Sequence, residues 1–189
     1  MLVPYTRDGR VANDPGVEYV LTNSPGVNPA GELVYAPGGW RVYRIEGPIR
    51  LRSSITGVHT DGWMGGFAAY NEFGSGRRGI AEVHVTRAFA PGDATVTVRA
   101  GALRPEPLEV IANPCSAGVC RDYNPKISGR ATAHTRKLAA GDQYLFRIPV
   151  TSPFRVEVRV DPTFRPFDFG GTDLRQLGAQ IAFTFKPGA

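Results

Sequence analysis

The chain has 189 residues, 42% of them hydrophobic and 10% aromatic, which is enough to bury a sizeable core and excludes a disordered tail. Its 23 glycines and 16 prolines interrupt helices and serve turns, so composition points to many short strands. The net charge of +5 is carried almost wholly by arginine, with Lys126, Lys137 and Lys186 the only lysines, and it is dispersed. A nucleic-acid partner is not expected, because a surface that tracks phosphates needs a denser basic stripe.

In chain order, residues 1–38 read as an N-terminal extension or as the first strands, with VEYVLT over Val17–Thr22 and a short strand at Glu32–Tyr35. Trp40–Glu46 and Ile49–Ser53 flank Gly47-Pro48, which predicts a hairpin or a bend between them. Arg41, Arg44, Arg50 and Arg52 alternate with apolar residues there, as Arg155 and Arg159 do later, which is the pattern of solvent-facing strand positions.

Gly62–Phe73 is aromatic and glycine-rich, and GSGRRG at Gly74–Gly79 separates it from Ile80–Phe89. Ala81, Val83 and Val85 alternate with Glu82, His84 and Thr86, so these two segments read as a half-buried strand pair joined by a hairpin tip, with His84 exposed. The glycine loop resembles a phosphate cradle only superficially, since no helix follows it. The turn Pro91-Gly92-Asp93 leads into a strand with Ala94, Val96, Val98 and Ala100 inward.

The segment over 113–136 shows no such alternation and is expected to be an irregular excursion that bears both cysteines. Cys115 and Cys120 favour a short disulfide in a Pro/Gly-bearing loop, and with it an extracytoplasmic compartment. Zinc is not expected, because His59, His84 and His134 are scattered without ligand spacing. Two further strands follow, one with Tyr144, Phe146, Ile148 and Val150 inward and one with Phe154, Val156, Val158 and Val160 inward, and Ile181, Phe183 and Phe185 mark the last strand. At most one helical turn is expected, over Thr172–Gly178. The expected fold is all-β over 1–189, a single two-sheet antiparallel sandwich of about eight to ten strands, of jelly-roll or carbohydrate-binding-module-like type.

The motifs of common enzymes, Gly-x-Ser-x-Gly, His-Glu-x-x-His and phosphate loops among them, are absent. Carboxylates at Asp61, Glu72, Asp161 and Asp173 leave a glycoside hydrolase as the one catalytic alternative, provided that two of them converge. No dense Asp/Asn/Gly loop supports a structural calcium, and no cofactor is expected.

Aromatic residues are more informative. HTDGWMGGFAAY sets Trp63, Phe67 and Tyr70 among glycines, with Asp61 two residues before Trp63. One reading makes Trp63 a plug at one end of the sandwich and Asp61 the cap of a turn; the other makes them a stacking plate beside an acceptor, which suits a sugar ring. Near the end, Asp173 and Arg175 read as an ion pair that pins the last loop or as a ligand-binding arginine.

Three stretches, GWRVYRIEGPIRL at Gly39–Leu51, GVHTDGWMGGFAAYNEF at Gly57–Phe73 and TFRPFDFGGTDLRQLGAQIAFTF at Thr163–Phe185, resemble the C-terminal extracytoplasmic β-domains of actinobacterial polytopic membrane glycosyltransferases of the GT-C type. The resemblance implies that catalysis belongs to a membrane-embedded part outside this sequence, so no catalytic residue carries over. It also implies a domain that positions an acceptor glycan or braces the transferase. Any export signal or membrane anchor is expected to lie outside these 189 residues.

The expected function is therefore a non-catalytic glycan-binding or accessory domain of a cell-envelope glycosyltransferase, with the membrane portion of the same polypeptide and a cell-envelope polysaccharide as partners. Asp61, Trp63, Tyr70, Asp173 and Arg175 are its candidate ligand-binding residues. A structural or protein-interaction sandwich is the alternative.

Overall fold

The computed structural model describes residues 9–11, 14, 16–24, 26–88, 91–103, 114–115, 118–119 and 127–188. Four short strands come first: β1 (Tyr19–Thr22), β2 (Val27–Pro29), β3 (Glu32–Tyr35) and β4 (Arg41–Arg44). Longer ones follow: β5 (Leu51–Val58), β6 (Trp63–Glu72), β7 (Arg78–Arg87) and β8 (Ala94–Leu103). The two-residue strands β9 (Pro114–Cys115) and β10 (Gly118–Val119) pair with each other, and β11 (Ile127–Leu138), β12 (Tyr144–Thr151), β13 (Phe154–Asp161) and β14 (Ala179–Pro187) complete the set. Among the described residues the only helical element is a 3-10 turn at Pro166–Phe169, and no helix is long and apolar enough to cross a membrane.

Nine strands form one antiparallel sheet that folds on itself into a sandwich and nearly closes as a barrel. The wide layer runs β2-β5-β6-β13-β8-β11 and the narrow one β14-β7-β12. They are joined by β14, which starts against β6 through Ala179 opposite Met64, then shifts register after Gln180 and continues along β7. The expected all-β sandwich is the observed fold.

The two-residue period puts alternate side chains on one face, and the inward faces of both layers are apolar. Val96, Val98, Phe154, Val156 and Val158 of the wide layer meet Val83, Val85, Phe146, Ile148 and Ile181 of the narrow one in one continuous cluster. Phe154 is 1% exposed and meets the rings of Tyr70 and Phe185 at 5.9 and 5.1 Å between centroids.

Pairing departs from the sequence reading in two places. Alternation reveals which face of a strand is buried but not which strand lies beside it, and β6 and β7 are not neighbours. GSGRRG is therefore an arch from one layer to the other, held where Gly76 N–H donates to Ser152 O at 2.9 Å. Gly47-Pro48 takes the second of its two expected forms, a bend, because β4 belongs to a separate sheet ordered β1-β4-β3 while β5 pairs with β2 and β6. The segment expected to be irregular over 113–136 contains the start of the 12-residue strand β11. Its inward positions carry Thr132, His134 and Arg136 opposite Ala100, Val98 and Val96, so the apolar alternation that reveals the other strands is missing.

Arg155 is a further correction. It was expected in solvent but is 3% exposed, with Nη1 donating to Asn71 Oδ1 at 3.1 Å and Nε to Glu157 Oε1 at 2.9 Å. Its charge is tolerated there because both partners are fixed on the same face of β6 and β13. His84 is exposed, as expected. The expected Cys115–Cys120 disulfide lies outside the described residues, since of that pair only the backbone of Cys115 is described.

Removing the Phe154 ring leaves a void at the centre of both layers. Phe154→Ala should lower the unfolding free energy by about 3–5 kcal/mol in denaturant titration, with the slope unchanged.

Candidate functional site

Four of the five sequence-predicted residues meet at one end of the sandwich. The turn between β5 and β6 is tight: His59 N–H donates to Trp63 O at 2.7 Å and Gly62 N–H to His59 O at 2.9 Å. Gly62 takes φ of 83°, a conformation that favours glycine, so the turn presents Asp61 outward and lets Asp61 Oδ1 accept the Trp63 N–H at 3.3 Å.

Facing it is the segment between β13 and β14. Phe164 and Leu177 exchange both backbone hydrogen bonds at 2.7 Å, which closes the segment into a loop carrying the 3-10 turn. Gly178 seats the loop on β6 by donating to Met64 O at 2.7 Å, and a Cβ there would come within 2.6 Å of Gly65 O. Asp173 Oδ1 accepts the backbone N–H of Arg175 at 2.9 Å, a local turn that aims the arginine at Asp61.

Arg175 is the centre of this group. Its Nε lies 3.1 and 3.0 Å from the two oxygens of Asp173, and its Nη2 reaches Asp173 Oδ2 at 2.6 Å and Asp61 Oδ2 at 2.7 Å. Gln180 Nε2 adds a bond to Asp61 O at 2.6 Å. Trp63 is half-buried and stands edge-on to Phe164, with ring centroids 6.1 Å apart. Together these contacts tie the last loop to the β5–β6 turn from both sides.

Hydrogen bonds from Arg175 hold the carboxyl of Asp173 down at about 2 and lower that of Asp61 as well. The two acids do converge, yet both are kept ionised by one guanidinium. Neither is tuned as the proton donor that glycoside hydrolysis needs, which requires a raised pKa. Glu72 is shifted the other way by burial, but it sits inside the sandwich, accepting a 2.5 Å bond from Tyr70 Oη.

Tyr70 stands apart from the other four. It is 7% exposed and stacks on Phe183 at 5.7 Å between centroids, so it belongs to the core. Among the described residues no three His, Cys, Asp or Glu side chains converge as a metal site would require.

The loop's other face lines an open cleft of about 440 Å³. Phe164 and Phe169 supply its aromatic surface, the latter 62% exposed, and Asp93, Arg165, Asp168 and Gln176 supply polar edges. Gln176 is oriented by a 2.8 Å bond from Nε2 to Thr163 Oγ1. Sequence reading missed this group because Asp93 was accounted for as a turn residue and lies far along the chain from Phe164–Gln176. The Pro- and Phe-rich run at Phe164–Phe169 was the available signal.

No family model matches the chain, and no curated protein or solved structure matches it either. The geometry can be tested directly through acid stability. Because the folded Asp173 pKa lies below its ordinary 3.8, the stabilisation it brings is complete above that value and is lost as pH falls toward 2. In acid unfolding, Arg175→Met should be less stable than wild type at neutral pH, and the gap should close between about pH 4 and pH 2.

Proposed function

We propose that this chain is a non-catalytic glycan-binding domain, accessory to a cell-envelope glycosyltransferase and working outside the cytoplasm. The observation that carries the reading is the cleft at the loop end. A sugar ring has apolar faces and hydroxyl edges, and Phe164 with Phe169 offers a surface for the first while Asp93, Asp168, Arg165 and Gln176 offer partners for the second. Its volume falls within the range of small-ligand sites.

Asp61, Asp173 and Arg175 then act behind the site. By fixing the loop that carries Phe164, Phe169 and Gln176, they lower the ordering cost of binding. Trp63 supports Phe164 through its edge-on ring contact. The link to a transferase and its membrane portion rests on the three resembling stretches, and a Cys115–Cys120 disulfide belongs to the same proposal, since it suits an oxidising compartment.

A protein-interaction role is the second reading, favoured by one face of the β1-β4-β3 sheet. Tyr19, Leu21 and Tyr35 are 52%, 62% and 62% exposed there, and Trp40, 45% exposed, directly precedes β4, which gives an apolar surface of the kind that docks partners.

Calorimetric titration with cell-wall arabinan, galactan and mannan fragments separates the two. One of these glycans should bind, Phe169→Ala should weaken it about threefold to tenfold, and Trp40→Ala should leave it unchanged. No heat at millimolar glycan, or affinity indifferent to Phe169→Ala, would sink the proposal.

A further inference from the structure

The sandwich is open on one side. Strands β11 and β12 are consecutive and joined by the short turn 139–143, yet they do not pair with each other: among the described residues β11 pairs with β8 alone and β12 with β7 alone. Between them runs a groove of about 310 Å³, walled by residues 133–136 of β11 and 144–147 of β12.

Both walls present unused backbone groups, and the ladders fix which ones. Leu103 N–H donates to Pro153 O, so odd residues of β8 face β13 and even ones face β11. Thr132, His134 and Arg136 pair with those even residues, which turns the backbone of Ala133, Thr135 and Lys137 into the groove. On the other wall Ser152 N–H donates to Arg77 O, so even residues of β12 face β7 while Leu145 and Arg147 face outward. Pro149 falls in the outward set, where its missing N–H leaves the ladder intact.

The side chains make the groove basic. His134 and Arg136 occupy inward positions of β11 but are exposed, because the layers part here. Arg136 lies across the Tyr144 ring at 5.2 Å and donates from Nε to its hydroxyl at 3.1 Å. Arg147 closes the opposite wall, and among the described residues no carboxylate lines the groove. The nearby acids already have partners: Glu82 pairs with Lys186 and with Arg147 of the groove wall, so that among the described residues Arg136 carries the wall's unpaired positive charge, while Asp93 pairs with Lys137 and Asp142 accepts from the Ala139 N–H.

We propose that this groove binds an extended peptide segment of another protein by strand addition to β11, with acidic side chains at alternate positions facing His134 and Arg136. Strand addition draws its affinity from main-chain hydrogen bonds and its selectivity from alternate side chains. Successive inward positions of β11 lie about 6.8 Å apart, the same repeat as alternate residues of an added strand, so one acid meets the Arg136 guanidinium and the next the His134 imidazole. A flat anion or a nucleic acid would use the cations but not the row of free amides. This site is independent of the glycan cleft.

The test is selection from a random eight-residue peptide library on the wild-type chain, followed by affinity measurement of the enriched peptides on two variants. Ala133→Pro removes one groove-facing N–H at an edge position that tolerates proline, and Arg136→Glu reverses the charge. Enriched peptides should carry Asp or Glu at alternate positions and should lose at least tenfold in affinity on each variant whose circular dichroism matches wild type. Enrichment of no sequence, enrichment without alternate acids, or affinity retained on both variants overturns the proposal. So does an Arg136→Val variant that self-associates in sedimentation while wild type enriches nothing, because Arg136 would then serve only to keep the edge from pairing with a second copy.

Discussion

Strand β13 is the member on which the wide layer is registered, and its burial from both sides is the constraint that the remaining structure obeys. It pairs with β6 along one edge and with β8 along the other, residue for residue from Phe154. Its even side chains, Phe154, Val156, Val158 and Val160, are at most 4% exposed and meet the narrow layer. A shift of one residue would turn Arg155, Glu157 and Arg159 into that interface, so the hydrophobic period fixes register throughout. The arch at Gly74–Gly79 and the crossing of β14 are the consequences of packing these strands on opposite sides of one core.

The same constraint explains where function can sit. Inward positions are committed to packing and the strand ends carry the loops, so the open cleft at Phe164–Gln176 stands at the end of β13, where the chain leaves the layer. The Arg175 clamp converts a loop of nearly twenty residues into a fixed wall. Its ion pairs are partly exposed, so their contribution to global stability is modest. Their effect is local order, which is what a shallow binding site needs most.

Much of this was legible in the sequence. Val96 to Ala100, Tyr144 to Val150 and Phe154 to Val160 announce strands through strict alternation, and the turn residues between them mark where each ends. The Asp173–Arg175 pair was visible as a local motif, and the structure adds Asp61 from across the molecule. Strand neighbours were not legible, because alternation is identical for a hairpin and for two strands facing each other across a core. Strand β11 was hidden for a more specific reason. An edge strand beside an opening has no inward face to keep apolar, so Thr132, His134 and Arg136 carry no strand signal. An aromatic flanked by glycines and alanines reads alike on a surface and in a core, so the place of Tyr70 comes from its burial and its contacts with Phe183 and Phe154.

The central claim is that a glycan is held in the cleft between Phe164, Phe169 and the Asp93 turn. Nuclear magnetic resonance titration of the isotope-labelled chain with a cell-wall oligosaccharide tests it most directly. The account predicts saturable shifts of backbone amides at Asp93, Phe164, Phe169 and Gln176, with the β1-β4-β3 sheet unmoved. Shifts confined to Tyr19, Tyr35 and Trp40, or none at millimolar oligosaccharide, would contradict it.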